Sequence, residues 1–130
     1  MWNLDDGSVY FRLPEISIPL AFTWGGNDRR KRELVRDAAW RVFPRPIPIA
    51  QSWAFRLFVR RPDTFDVDNV PKIIVDAFSA DQLQRDDSQY LPIRLYDDDN
   101  VRHVPMVQVA GESSDGEILT RIEVFGRRLN

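Results

Sequence analysis

Two aspartates one residue apart, Asp66 and Asp68, stand where an extended stretch of the chain meets a predicted helix. In extended backbone such residues project to the same side, about 6–7 Å apart. Their carboxylates can therefore converge on one divalent cation or on a pair of cations. Lys72 follows Asp68 by one helical turn, and Asp76 follows Lys72 by another, so these three residues share a helix face.

A third carboxylate, Asp87, can reach the same place along the chain. A helix over 69–79 carries the chain about 18 Å from Asp68. Residues 81–87, as an extended strand, cover about 23 Å and can bring the chain back. Three carboxylates with no histidine or cysteine beside them suit Mg²⁺, or alternatively Mn²⁺, better than zinc. Such a centre activates water for attack on phosphorus, and Lys72 supplies the positive charge that a phosphate substrate requires.

The same residues also have a purely structural interpretation. Asp68 and Asn69 form a good helix N-cap, and Asp68, Lys72 and Asp76 form pairs at i, i+4 spacing. An Asp-x-Asp sequence alone indicates a cap more often than a metal site. The lysine and the distant Asp-Asp-Ser-Gln sequence at 86–89 shift the balance toward a metal centre.

These motifs resemble the signature of the RusA-type Holliday-junction resolvases, and the resemblance covers about residues 52–95. The matching positions are Asp66-x-Asp68-Asn69, Lys72, Asp76 and the Asp86-Asp87-Ser88-Gln89 sequence. The resemblance implies that Asp66, Asp68 and Asp87 are the metal-binding catalytic carboxylates and that Lys72 is needed for cleavage. It further implies a homodimer that binds a four-way DNA junction and nicks opposed strands with Mg²⁺.

Basic residues are concentrated in one part of the chain, although the net charge is −2 and the pI is near 5.4. Residues 27–61 contain ten basic and three acidic side chains, whereas residues 62–130 contain seven basic and fourteen acidic ones. We expect the basic part to contact the phosphate backbone of DNA. The residues assigned to this role are Arg29, Arg30, Lys31, Arg32, Arg60 and Arg61. The alternative is that this helix simply exposes a charged face to solvent.

Hydrophobic periodicity predicts one α+β domain over 1–130, with a mixed sheet and two helices in the order β-α-β-α-β-β-β. Strands are expected at 9–22 (one bent or two short), 52–61, 87–95, 104–110 and 118–125, and helices at 29–43 and 69–79. In the first helix, Leu34, Ala38 and Val42 are predicted to form the apolar face with Val35 and Ala39 beside them, and the arginines to lie on the other side. In the strand 52–61, the predicted core face is Trp53, Phe55, Leu57 and Val59.

Other features of the sequence exclude several function classes. The chain has no cysteine, which excludes disulfides, thiolate metal sites and cysteine nucleophiles. Residues 1–8 lack the pattern of a secretory signal, and no apolar run approaches the length of a membrane span, so we expect a cytoplasmic protein without a membrane partner. Two alternatives to a junction-resolving endonuclease remain: a catalytically inactive DNA-binding or dimerising module, and a metal-dependent nuclease with other nucleic-acid substrates.

Overall fold

The structure is a computed structural model that describes residues 3–19, 27–61, 69–114, 116 and 118–130, with the backbone alone at 61 and 69. These ranges form an α+β domain with a five-stranded mixed sheet and three α-helices. The strands are β1 (Tyr10–Arg12), β2 (Ile16–Ile18), β3 (Trp53–Arg61), β4 (Met106–Ser113) and β5 (Leu119–Arg127). The helices are α1 (Asp28–Val42), α2 (Asn69–Ala77) and α3 (Ala80–Arg85), followed by a short 3₁₀ helix at Leu91–Ile93.

The sheet has the order β1–β5–β3–β4, and β2 also pairs with β5. Strands β3 and β4 are parallel, while the β1–β5, β2–β5 and β3–β5 pairs are antiparallel. The predicted mixed sheet is therefore confirmed. The last two strands form as predicted, but they do not pair with each other, because β3 lies between them.

The core lies between one face of the sheet and the helices. The predicted inward face of β3 is confirmed, with all four side chains buried: Trp53, Phe55, Leu57 and Val59. The ring of Phe78, which follows α2, stacks on Phe55 at 6.0 Å and on Phe43 at 5.7 Å between centroids. This stack joins the ends of α1 and α2 to the centre of the sheet.

Helix α1 begins and ends one residue earlier than predicted, and its buried face is rotated toward Val35 and Ala39 and away from Leu34 and Val42. The side chain of Asn27 caps it by accepting hydrogen bonds from the backbone N–H groups of Arg29 and Arg30. The buried residues of the helix are Val35, Arg36 and Ala39, whereas Leu34 and Val42 are 38% and 39% exposed. The prediction that the arginines all lie on the solvent side was wrong, because Arg36 finds polar partners inside the protein.

The path from α2 to residue 95 differs most from the sequence prediction. Helix α2 ends at Ala77, and the side chain of Ser79 caps a separate helix, α3, so the predicted two helices become three in the described ranges. The predicted strand at 87–95 was wrong. Pro92 lies in the first turn of the 3₁₀ helix, and the hydroxyl of Tyr90 donates to Asp37 of α1 at 2.9 Å. None of the helices in these ranges has the length and apolar composition needed to cross a bilayer.

Candidate metal centre

The predicted site residues divide between described and undescribed parts of the chain. Asp66 and Asp68 lie outside the described residues, immediately before α2. Lys72 is exposed in the first half of α2, and Asp76 is half-buried one turn later. The convergence of Asp66 and Asp68 with Asp87 therefore stays a prediction. The geometry of Asp87 and its neighbours can be described in full.

Asp87 follows α3 in the left-handed backbone region, with φ of 52°. Two backbone hydrogen bonds close the end of the helix: Asp87 N–H donates to Gln84 at 3.1 Å, and Ser88 N–H donates to Leu83 at 3.0 Å. This pair of bonds defines a Schellman motif, in which glycine is the usual residue at the left-handed position. Asp87 therefore occupies a glycine position, and its side chain is directed by a tight helix end rather than by a strand.

The carboxylate of Asp87 is exposed, and within the described ranges it makes no hydrogen bond or ion pair. A carboxylate oxygen is the ligand that Mg²⁺ prefers. Its position at the end of α3 thus provides one free hard ligand. The described residues contain no group of three or more His, Cys, Asp or Glu side chains arranged to hold a metal ion.

The adjacent carboxylate, Asp86, is buried and fully engaged. Arg32 binds both of its oxygens, with Nε and Nη2 each at 2.8 Å, and Nη1 of Arg36 donates to it at 2.9 Å. The side-chain amide of Gln82 adds a fourth hydrogen bond at 3.1 Å. Burial raises the pKa of Asp86, but hydrogen bonds from Arg32, Arg36 and Gln82 outweigh it and lower the pKa to about 2.

Arg36 connects the ends of two helices from inside the protein. Its side chain is 0% exposed, and its Nε donates to the carbonyl of Ala77, the last residue of α2, at 2.7 Å. The same guanidinium binds Asp86 at the end of α3 and Glu33 on α1 at 3.0 Å. Its Nη2 has no hydrogen-bond partner among the described residues. We call Arg32, Arg36 and Asp86 the arginine clamp; it fixes the backbone immediately before Asp87.

The sequence prediction missed the arginine clamp. Arg36 directly follows Val35 and precedes Ala39 by three residues. Since Val35 and Ala39 belong to the apolar pattern, that pattern placed Arg36 next to the core side of α1. Arg32 is one helical turn away on the same side. That spacing was the available signal, but the identity of the acid that binds both arginines was not visible in α1 alone.

A second carboxyl group lies near Arg32 in a different environment. Burial, and then a hydrogen-bond contact with the carboxyl of Asp99, raise the pKa of Asp76 to about 6, although the charges of Lys72 and Arg32 oppose the shift. Near both carboxyl groups, the hydroxyl of buried Tyr96 donates to the carbonyl of Val75 at 2.6 Å. Asp76 therefore binds a proton more readily than an ordinary aspartate does.

The six residues predicted to contact DNA differ in exposure and in ion pairing. Arg29 and Arg30 are exposed at the start of α1, with no ion pair in the part of the chain that the structure describes. Arg32 is 13% exposed and is held by Asp86. Among the predicted DNA-contacting residues whose side chains are described, Arg29 and Arg30 are therefore the most available to bind phosphate.

The other three residues of that set are more restricted or undescribed. Lys31 lies 3.8 Å from Asp28, and Arg60 lies 3.1 Å from Glu112 on the neighbouring strand. The side chain of Arg61 lies outside the description. Their assignment to DNA stays a prediction.

Comparisons with known proteins do not identify a relative. No protein-family model matches the chain, and searches of curated proteins and of solved structures give no significant match. The case for a function therefore depends on the residues themselves and on the resemblance of their spacing.

Proposed function

We propose that this protein is a metal-dependent DNA endonuclease that cleaves branched DNA, in the manner of a Holliday-junction resolvase. In this proposal Asp66, Asp68 and Asp87 bind Mg²⁺ or Mn²⁺, and Lys72 lies beside the scissile phosphate. Arg29 and Arg30 contact the phosphate backbone next to the site. A homodimer would present two such sites to the two-fold symmetry of a four-way junction.

The observation that carries the proposal is the contrast between the backbone and the side chain of Asp87. A residue with a Cβ atom at a left-handed position costs about 1–2 kcal/mol relative to its ordinary backbone conformation. Within the described ranges, the carboxylate of Asp87 makes no ion pair or hydrogen bond that would offset this cost. Strained residues of this kind are concentrated at functional sites. An acid that is unfavourable for the fold and free of partners is consistent with a ligand role.

The chemistry divides among the proposed residues as follows. The carboxylates of Asp66, Asp68 and Asp87 hold the cation through hard oxygen ligands. A cation held there would supply a coordinated water of lowered pKa as the nucleophile and positive charge beside the leaving oxygen. The ammonium group of Lys72 neutralises a non-bridging phosphate oxygen as charge develops there. The arginine clamp holds the end of α3 rigid, so that Asp87 meets the cation without a large rearrangement.

The direct test is incubation with a synthetic four-way junction in the presence of Mg²⁺ or Mn²⁺. We expect paired nicks with the wild-type protein and a loss of more than about 100-fold in rate for Asp87→Asn, since even outer partners of metal ligands contribute about 10- to 100-fold. The matched control is Asp98→Asn, in the exposed loop 97–100, which should cleave like the wild type. Equal rates for Asp87→Asn and the control would overturn the proposal.

Two further measurements distinguish the proposal from a nuclease with other substrates and from an inactive DNA-binding module. Linear duplex and single-stranded DNA in the same reaction identify a nuclease with another substrate preference. Calorimetric titration with Mn²⁺ identifies an inactive module, because such a module binds the junction but shows no Mn²⁺ binding that depends on Asp87.

A further inference from the structure

Strand β4 forms one edge of the sheet, and no other strand of the described ranges pairs with its outer side. Among the described strands it pairs only with β3, through eight residue pairs from Ala54–Met106 to Arg61–Ser113. Every residue of β4 after Met106 is exposed. A run of backbone N–H and C=O groups along this edge is therefore available to another strand.

The side chains of β4 extend the apolar face of the sheet beyond the helices. Val107 and Val109 are paired with Phe55 and Leu57, so they lie on the core face of the sheet. The two β3 residues are buried, whereas Val107 and Val109 are 36% and 38% exposed. The helical layer thus covers β3 and leaves the valines of β4 partly exposed.

The two edges of the sheet differ in their protection. At the other edge, β1 and β2 have three residues each, and Pro14 lies between them. Short strands and proline are the usual protection of an edge against pairing. The eight residues of β4 include no proline, lysine or arginine, and the one charged side chain, Glu112, already pairs with Arg60.

The charges around β4 favour a second copy of the same chain. In an antiparallel pair related by a two-fold axis, the start of each strand lies beside the end of the other. The turn before β4 carries Arg102, which is exposed and has no ion pair in the described ranges, and the far end of the strand carries Glu112, an exposed carboxylate that also binds Arg60 of its own chain. Self-pairing therefore brings Arg102 of each copy close to Glu112 of the other.

We propose that β4 pairs antiparallel with β4 of a second copy and joins the two sheets into one. With Gln108 at the two-fold axis, Val107 lies opposite Val109 in both halves of the pair, and β-branched side chains are favourable in such positions. The Arg102 and Glu112 side chains lie at the two ends of the pair. This interface is argued from β4 alone and does not depend on the proposed nuclease function.

Cysteine cross-linking tests the register, because the natural chain has no cysteine. At the axis, two Gln108→Cys side chains lie within disulfide reach, and we expect a covalent dimer on mild oxidation. The matched control is Ala110→Cys, on the same face of the same strand. Its two copies would be about 13 Å apart, which is beyond that reach. Equal cross-linking of the two variants, or none of either, would overturn the register.

Sedimentation equilibrium tests the interface itself. We expect the wild type to show twice the 15.2-kDa mass of the chain, and Val107→Lys and Val109→Lys to show the single mass, because each variant places a charged lysine opposite an apolar valine of the other copy. Circular dichroism and thermal unfolding check that these surface variants remain folded. A monomeric wild type, or folded lysine variants that remain fully dimeric, would contradict the proposal.

Discussion

Asp86 and Asp76 both lie near Arg32, but their pKa values shift in opposite directions. Asp86 receives hydrogen bonds from two arginines, and its pKa falls to about 2. Asp76 feels the charge of Arg32 at longer range but lies against another carboxyl group, and its pKa rises to about 6. The difference does not come from burial, which raises both pKa values. It comes from whether direct hydrogen bonds are supplied by a cation or by a second acid.

This comparison separates the roles of the two consecutive aspartates in the motif at 86–89. Asp86 is structural, because its charge satisfies two arginines that reach it from α1. Asp87 is exposed and unpaired in the described ranges, which leaves it available to a ligand. Adjacent identical residues thus serve the fold and the proposed site separately.

The largest effect is expected from Asp86→Asn, which removes the negative charge of the arginine clamp. Arg36 remains completely buried and loses its buried counterion, which leaves only the partly exposed Glu33. Breaking a buried ion pair from one side costs about 3–5 kcal/mol in the free energy of unfolding. Urea unfolding measures the change. The control is Asp81→Asn, which breaks an exposed pair with Arg85 and should cost less than about 1 kcal/mol. Similar losses in both variants would show that the arginine clamp contributes little.

A smaller effect, of opposite sign, is expected from Asp76→Asn. Because folding raises the pKa of Asp76 from 3.8 to about 6, the folded protein holds a proton that the unfolded chain releases in this range. Wild-type stability should therefore decrease as the pH rises from about 4 to about 6. The asparagine variant lacks this titration and should be more stable than the wild type at neutral pH, by about 1–2 kcal/mol after solvent screening.

Thermal unfolding at several pH values checks this prediction and contrasts the two acids. The pKa of Asp86 is lowered, so its contribution is complete above pH 4 and is lost as the pH falls toward 2. Asp86→Asn should flatten the acid limb of the stability curve, and Asp76→Asn should flatten the region between pH 4 and 6. An unchanged slope in the upper region would refute the assignment to Asp76.

Local patterns in the sequence predicted the parts of the fold that depend on neighbours along the chain. Alternation predicted the buried face of β3, and the amphipathic pattern predicted both ends of α1 to within one residue. The rotation of α1 was wrong because Arg36 is held by Ala77 and Asp86, which are 41 and 50 residues away in the sequence. Periodicity treats every arginine as a surface residue and cannot represent partners at that distance.

The same limitation applies to the candidate site. The motif predicted that Asp87 is a ligand, but the strand expected to bring it back was replaced by α3 and a Schellman motif. A helix end of this kind is easily recognised in a sequence when glycine occupies the left-handed position. Because aspartate occupies that position here, the sequence did not indicate the helix end. Whether Asp66 and Asp68 meet Asp87 stays a prediction, because both precede α2 outside the described residues.

The smallest change in stability, with the clearest meaning, is expected from Asp87→Gly. Glycine adopts a φ of 52° without a Cβ penalty, so the variant should be about 0.5–1 kcal/mol more stable than the wild type. Asp87→Asn, which tolerates the left-handed region nearly as well as aspartate, should leave the stability unchanged.

If Asp87 is a metal ligand, both Asp87 variants should nonetheless lose metal-dependent cleavage. Stability and activity would then change in opposite directions in the glycine variant, as happens where a strained residue is kept for function. Urea unfolding and junction cleavage on the same preparations measure the two quantities together. A glycine variant that is less stable than the wild type would mean that the carboxylate of Asp87 stabilises the fold, and the distinction between Asp86 and Asp87 would be lost.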